Sequence, residues 1–152
     1  LFSYPPVRVS GMSDCVFCQI VDGTAPGHQV YADEYVVAFL DIRPVTRGHT
    51  LVVPRRHFTG LTDLDPEIGA RIFATGQRLA AAMKSTGFGS DGVNLALNDG
   101  RAAFQTVFHT HLHVLPRADG DKLRFVGGLL TRRAGDLAAV AAELRTALDV
   151  TA

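Results

Sequence analysis

The chain has 152 residues, 47% of them apolar and 20% charged, which suits one domain with its own core. Lys+Arg and Asp+Glu each total 15, so the formal net charge is zero, which argues against a nucleic-acid backbone as the main partner. No apolar run approaches the roughly 18–20 residues that span a bilayer, so no membrane partner is expected.

Along the chain, LFSYPPVRVSG lacks the continuous apolar stretch of a signal peptide. Met12 reads as a natural start. Residues 1–11 are therefore expected to be an N-terminal extension, residues 12–152 one domain, and the location cytoplasmic. Cys15 and Cys18 form a C-x-x-C. Without an export signal a structural disulfide is disfavoured, and three readings stay open: a redox pair, half of a metal site, or two ordinary thiols. Gly23, Pro26 and Gly27 leave room for at most a very short helix there. VYADEYVVAFLDI (30–42) holds two short strands joined at Asp33-Glu34, and HTLVVPRRH (49–57) reads as a buried strand closed by Pro54. Asp65-Pro66-Glu67 opens a helix that runs to near Gly87, with Ile68, Ile72, Leu79 and Met83 at helical spacing. VNLALN (93–98) alternates as a strand, NDGRAAF is a turn or loop, and QTVFHTHLHVLPR (105–117) reads as one long strand. AGDLAAVAAELRTAL (134–148) is an amphipathic helix with Asp136 as its N-cap. This order of strands, helix, strands, helix predicts an α+β fold with antiparallel pairing.

Half of the six histidines sit in FHTHLHVLPR, at His109, His111 and His113. On a strand they share one face, while Phe108, Thr110, Leu112 and Val114 take the opposite, core-facing side. His109 and His113 would lie about 13 Å apart, too far to share one metal easily. A row of imidazoles along a groove suits catalysis or anion binding instead.

H-T-H-L-H-V-L resembles the signature of the histidine triad (HIT) superfamily of nucleotide hydrolases and transferases. CVFCQIVDG, FLDIRPVTRGHTLVVPRRH, NLALNDG and QTVFHTHLHVLPR resemble successive blocks of that family, in order, from Asp14 onward. The resemblance implies a HIT-like fold, an antiparallel sheet with flanking helices. It implies that His111 attacks the α-phosphorus of a nucleotide, that His113 donates to the phosphate oxygens, and that His49 lies near the leaving-group side. Asn98, Gln105 and Thr106 would hold phosphate oxygens or the leaving group. Asp41 would take the ribose hydroxyls, and Phe17, Ile20 and Ile42 would sandwich a purine base.

The set Cys15, Cys18, His57 and His109 resembles the structural zinc site of some bacterial members. No organic cofactor is expected, and the family implies a homodimer whose two sheets join. Ala102-Ala103-Phe104-Gln105-Thr106 departs from the Gly-Gly-Gln-Ser of the phosphoramidase branch. Gln-Thr-Val before the triad and Leu-Pro-Arg after it resemble the dinucleoside polyphosphate hydrolases and generic bacterial members. The expected activity is hydrolysis at the α-phosphate, releasing a nucleoside monophosphate. The alternatives are a nucleotide-binding regulatory protein with little turnover and a phosphate-dependent nucleotidyl transferase. Lys122, Arg124, Arg132 and Arg133 are candidates for outer phosphates or are ordinary surface charges.

Overall fold

Alternation along two neighbouring strands sets the centre of the fold. In a computed structural model, which describes residues 14–88 and 90–151, β2 (Val36–Leu40) and β3 (Thr50–Pro54) are buried on both faces. Val36, Ala38, Leu40 and Val52 point to one side, and Val37, Phe39, Leu51 and Val53 to the other. With β1 (Gln29–Ala32), β4 (Gly92–Leu97) and β5 (Leu112–Arg117) they form a five-stranded sheet ordered β1-β2-β3-β5-β4. Every pairing is antiparallel, as expected. The expected extension at 1–11 lies outside the described residues.

The first face is covered by α2 (Pro66–Met83) and α4 (Leu137–Thr151), whose Ile72, Leu79, Met83, Val140 and Leu144 pack on β2, β3 and β5. Each such fully buried aliphatic side chain contributes about 1.5–3 kcal/mol. Asp65 caps α2 by accepting from the Glu67 N–H at 2.8 Å, with Pro66 in the first turn. The helix stops at Met83 rather than near Gly87, because the Thr86 hydroxyl donates to the Met83 carbonyl at 2.6 Å and replaces the next helical donor. The second face is covered by α1 (Val16–Asp22), which lays Phe17, Ile20 and Val21 on Val37, Phe39, Leu51 and Val53. This short helix starts at Cys15 and ends on Gly23, whose φ of 78° suits glycine.

Two further expectations are corrected. The long strand expected at 105–117 is a strand only from Leu112. Its neighbours leave the ladder at that point: Leu112 faces Val52 on one side and Leu97, the last residue of β4, on the other. Upstream, Thr110 N–H donates instead to the Phe58 carbonyl at 2.7 Å. Thr110, Leu112 and Val114 do take the inner face, but Phe108 is exposed. The second correction is a ten-residue helix, α3 (Lys122–Thr131), in a segment with no predicted element. Among the described residues no helix is long and apolar enough to cross a membrane.

Candidate active site and metal centre

The approach to β5 brings the triad histidines onto the α1 side of the sheet. His109 and His111 have their tautomers fixed by backbone carbonyls, and His113 takes its tautomer from His49. His111 Nδ1 lies 2.7 Å from the His109 carbonyl. A carbonyl only accepts, so Nδ1 carries the proton and Nε2 keeps its lone pair. Phe17 places its ring edge-on to His111, with centroids 5.1 Å apart. Burial lowers the His111 pKa below 6.5, with the His109 carbonyl and Asp41 pulling the other way.

His49 is 1% exposed and sits behind His113. Its Nδ1 accepts from the Val45 N–H at 3.1 Å, so its proton is on Nε2. That Nε2 lies 2.9 Å from His113 Nδ1 and donates to it, which leaves the His113 proton on Nε2. Burial holds both rings neutral: His49 falls far below its ordinary value, and His113 falls to about 4. His49 thus orients His113 from behind; it is shut off from solvent.

The four candidate metal ligands converge. The ligand atoms of Cys15, Cys18, His57 and His109 all lie within 4.8 Å of one another. Cys15 Sγ is 3.4 Å and Cys18 Sγ 3.5 Å from His109 Nδ1, and Cys18 Sγ is 3.4 Å from His57 Nδ1. Tetrahedral zinc at ordinary bond lengths separates sulfur and nitrogen ligands by about 3.6 Å, so the donor set fits. His109 Nε2 lies 2.9 Å from the Pro54 carbonyl, which places its proton there and turns the Nδ1 lone pair to the sulfurs. Burial, with Cys15 alongside, pushes the Cys18 thiol up to about 12. Two bare thiolates are therefore disfavoured, and a divalent cation reverses that balance.

The remaining predicted residues are arranged less simply. Asp41 Oδ1 accepts from the Arg43 N–H at 2.8 Å, and Oδ2 is paired with Arg132 at 3.1 Å. Gln105 is 4% exposed, and its amide is engaged by backbone groups of its own loop and of Thr59. Its Nε2 donates to the Thr59 and Val107 carbonyls, and its Oε1 accepts from the Gly100 N–H. These bonds brace the loop that leads into the triad. Thr106 is exposed and Asn98 half-buried, and among the described residues neither is hydrogen-bonded to a triad histidine. Phe17 and Ile20 are core residues, whereas Ile42 is 63% exposed.

The profile described as HIT domain matches residues 22–120. The chain belongs to the HIT family. It is 54% identical over 134 residues, 88% of this chain and 92% of the relative, to an uncharacterized HIT-like protein of Mycobacterium tuberculosis. A Zn-bound histidine triad family protein from Mycobacterium smegmatis superposes with a TM-score of 0.85 at 52% identity, covering 92% of this chain and 96% of that one. The Arabidopsis thaliana protein named adenylylsulfatase HINT3 is 38% identical over 112 residues, 73% of this chain and 56% of its own. The candidate metal quartet of this HIT protein begins upstream of the matched span, at Cys15. Sequence reasoning missed the contact of Arg132 with Asp41, since nothing set Arg132 apart from three other basic residues nearby. It also missed the backbone partners of the imidazoles, which no side-chain pattern reveals.

Proposed function

We propose that this HIT protein hydrolyses nucleotides at the α-phosphate through a covalent nucleotidyl intermediate on His111. The observation that carries this reading is the 2.7 Å contact of His111 Nδ1 with the His109 carbonyl, which frees Nε2 as a neutral nucleophile. Nε2 attacks the α-phosphorus, the N–P bond forms, and the P–O or P–N bond to the leaving group breaks. The leaving group takes up a proton from solvent, and the water that later attacks returns one. Water then attacks phosphorus, the P–N bond breaks, and a nucleoside monophosphate leaves with His111 restored. His113, its Nε2–H set by His49, donates to a phosphate oxygen as charge builds there. His49 is a positioning residue for His113.

In this reading Asp41 accepts the ribose hydroxyls, the exposed Ile42 meets a purine base, and Asn98 and Thr106 face the phosphates. Phe17 and Ile20 support that wall from the core. Cys15, Cys18, His57 and His109 hold a structural zinc, which supplies a cross-link and no chemistry to the reaction. The name of the Arabidopsis relative supports an adenylyl substrate class. The proposed unit is one domain over 12–152 in a homodimer with joined sheets, supported by β4 being an edge strand.

The test is release of adenosine monophosphate from an adenosine phosphoramidate and from a dinucleoside polyphosphate. Wild type should turn over at least one of them, and His111→Ala should lose on the order of 10⁴-fold or more. Equal activity of the two proteins overturns the reading. Nucleotide binding without turnover by either points to a regulatory role, and nucleoside diphosphate formed with added inorganic phosphate points to a transferase.

A further inference from the structure

Arg132 adopts a backbone conformation that arginine rarely takes, with φ 22° and ψ 86°. Such a residue costs on the order of 1 kcal/mol or more and persists where its side chain is held by something specific. Here the guanidinium is anchored twice on one turn. Nη2 pairs with Asp41 Oδ2 at 3.1 Å, and Nε donates to the Arg43 carbonyl at 2.8 Å. With Oδ1 taken by the Arg43 N–H, both oxygens of the carboxylate already have partners from the chain itself.

The helix that carries Arg132 is lightly held. None of the ten residues of α3 is buried, and Leu123 and Leu130 are 89% and 81% exposed. Its N-terminal end is fastened by Arg117, which pairs with Asp121 at 2.7 Å and stacks on Phe125. Midway, Gly128 rests against the Val45 carbonyl, where any Cβ would overlap. The C-terminal end is held by Arg132. An Arg–Asp pair that is 37% exposed on the arginine side contributes little, so a competing pair of donors can displace it.

We propose that Arg132 is a latch displaced by ribose: it holds Asp41 before nucleotide arrives, and vicinal hydroxyls bind by taking over that carboxylate. Displacement relieves the strained backbone and releases the C-terminal half of α3. Nucleotide occupancy is thereby signalled at a helix whose apolar residues face outward. This inference rests on the ribose role proposed above for Asp41.

The experiment titrates adenosine into wild type, Arg132→Ala, Arg132→Gln and Asp41→Asn, with hydrogen exchange of the α3 amides followed in each. Adenosine has no phosphate, so loss of the arginine charge acts only at the ribose end. Arg132→Ala and Arg132→Gln should bind adenosine about two- to fivefold tighter than wild type. Adenosine should speed α3 exchange in wild type, and the arginine variants should exchange fast without it. If Asp41→Asn binds more weakly but neither arginine variant binds tighter, the latch is overturned and the ribose reading stands. If Asp41→Asn binds adenosine as wild type does, or wild type binds none, both are overturned.

Discussion

At the level of single residues, hydrogen bonds rather than charges poise the imidazoles at 49, 111 and 113. Burial keeps them neutral, and this has a measurable cost in acid. His113 titrates at about 4 in the folded protein against an ordinary 6.5. Between those values the unfolded chain takes up a proton that the folded protein refuses. Stability is therefore complete above pH 6.5 and falls as pH drops toward 4, by up to about 3 kcal/mol from this one group. Melting temperatures from pH 7 to 4.5 should show a smaller acid loss for His113→Gln than for wild type, and parallel curves would refute the assignment. The comparison cancels protonation at the metal ligands, which both proteins share. His111 is lowered in the same direction, so the acid limb of kcat/KM should lie below pH 6.5. A limb at or above 6.5, measured on the preferred substrate, would count against a buried neutral nucleophile.

Among the elements, α3 meets the body of the protein through a glycine set against a backbone carbonyl. Gly128→Ala would force α3 off the Val45 carbonyl, because the obstruction is backbone and cannot rotate aside. The α3 amides should then exchange faster, while the melting temperature moves by no more than about 2 °C, since the helix buries no side chain. A large drop in melting temperature would mean that α3 belongs to the core. The same lack of burial explains why α3 was invisible in the sequence: Leu123, Val126 and Leu130 mark no face that meets a core. By contrast, β2, β3 and α2 were legible because short apolar runs, helical spacing and the Asp65-Pro66 start answer to buried layers. The β5 strand was overextended because apolar alternation continues through 108–112, although β4 ends opposite Leu112 and the pairing with β3 stops at Val52. Around the site, histidine spacing was readable. The direction of Gln105, by contrast, was decided by the Thr59, Val107 and Gly100 backbone, which sequence does not place.

For the molecule as a whole, the metal quartet links parts that are distant in sequence. Cys15 and His109 are 94 residues apart, and His57 follows β3. A zinc ion held there would fasten α1 to the sheet and fix His109, whose carbonyl meets His111 Nδ1. On the proposed function, fold stability and the geometry of His111 would then be coupled through one residue, His109. Purified protein should carry about one zinc per chain, and chelation should lower its melting temperature by on the order of 10 °C, reversed by added zinc. Cys18→Ser should melt low from the start and ignore the chelator. Its turnover should fall more in kcat than in KM, because a loosened His109 carbonyl leaves Asp41 in place but no longer holds the proton of His111 on Nδ1. Metal analysis, melting with and without chelator, and steady-state kinetics on the same preparations separate the possibilities. A wild-type protein free of metal with an unchanged melting curve would reduce the quartet to two thiols and two hydrogen-bonded histidines. Zinc loss without a change in kcat would leave the cross-link standing but cut its tie to the nucleophile.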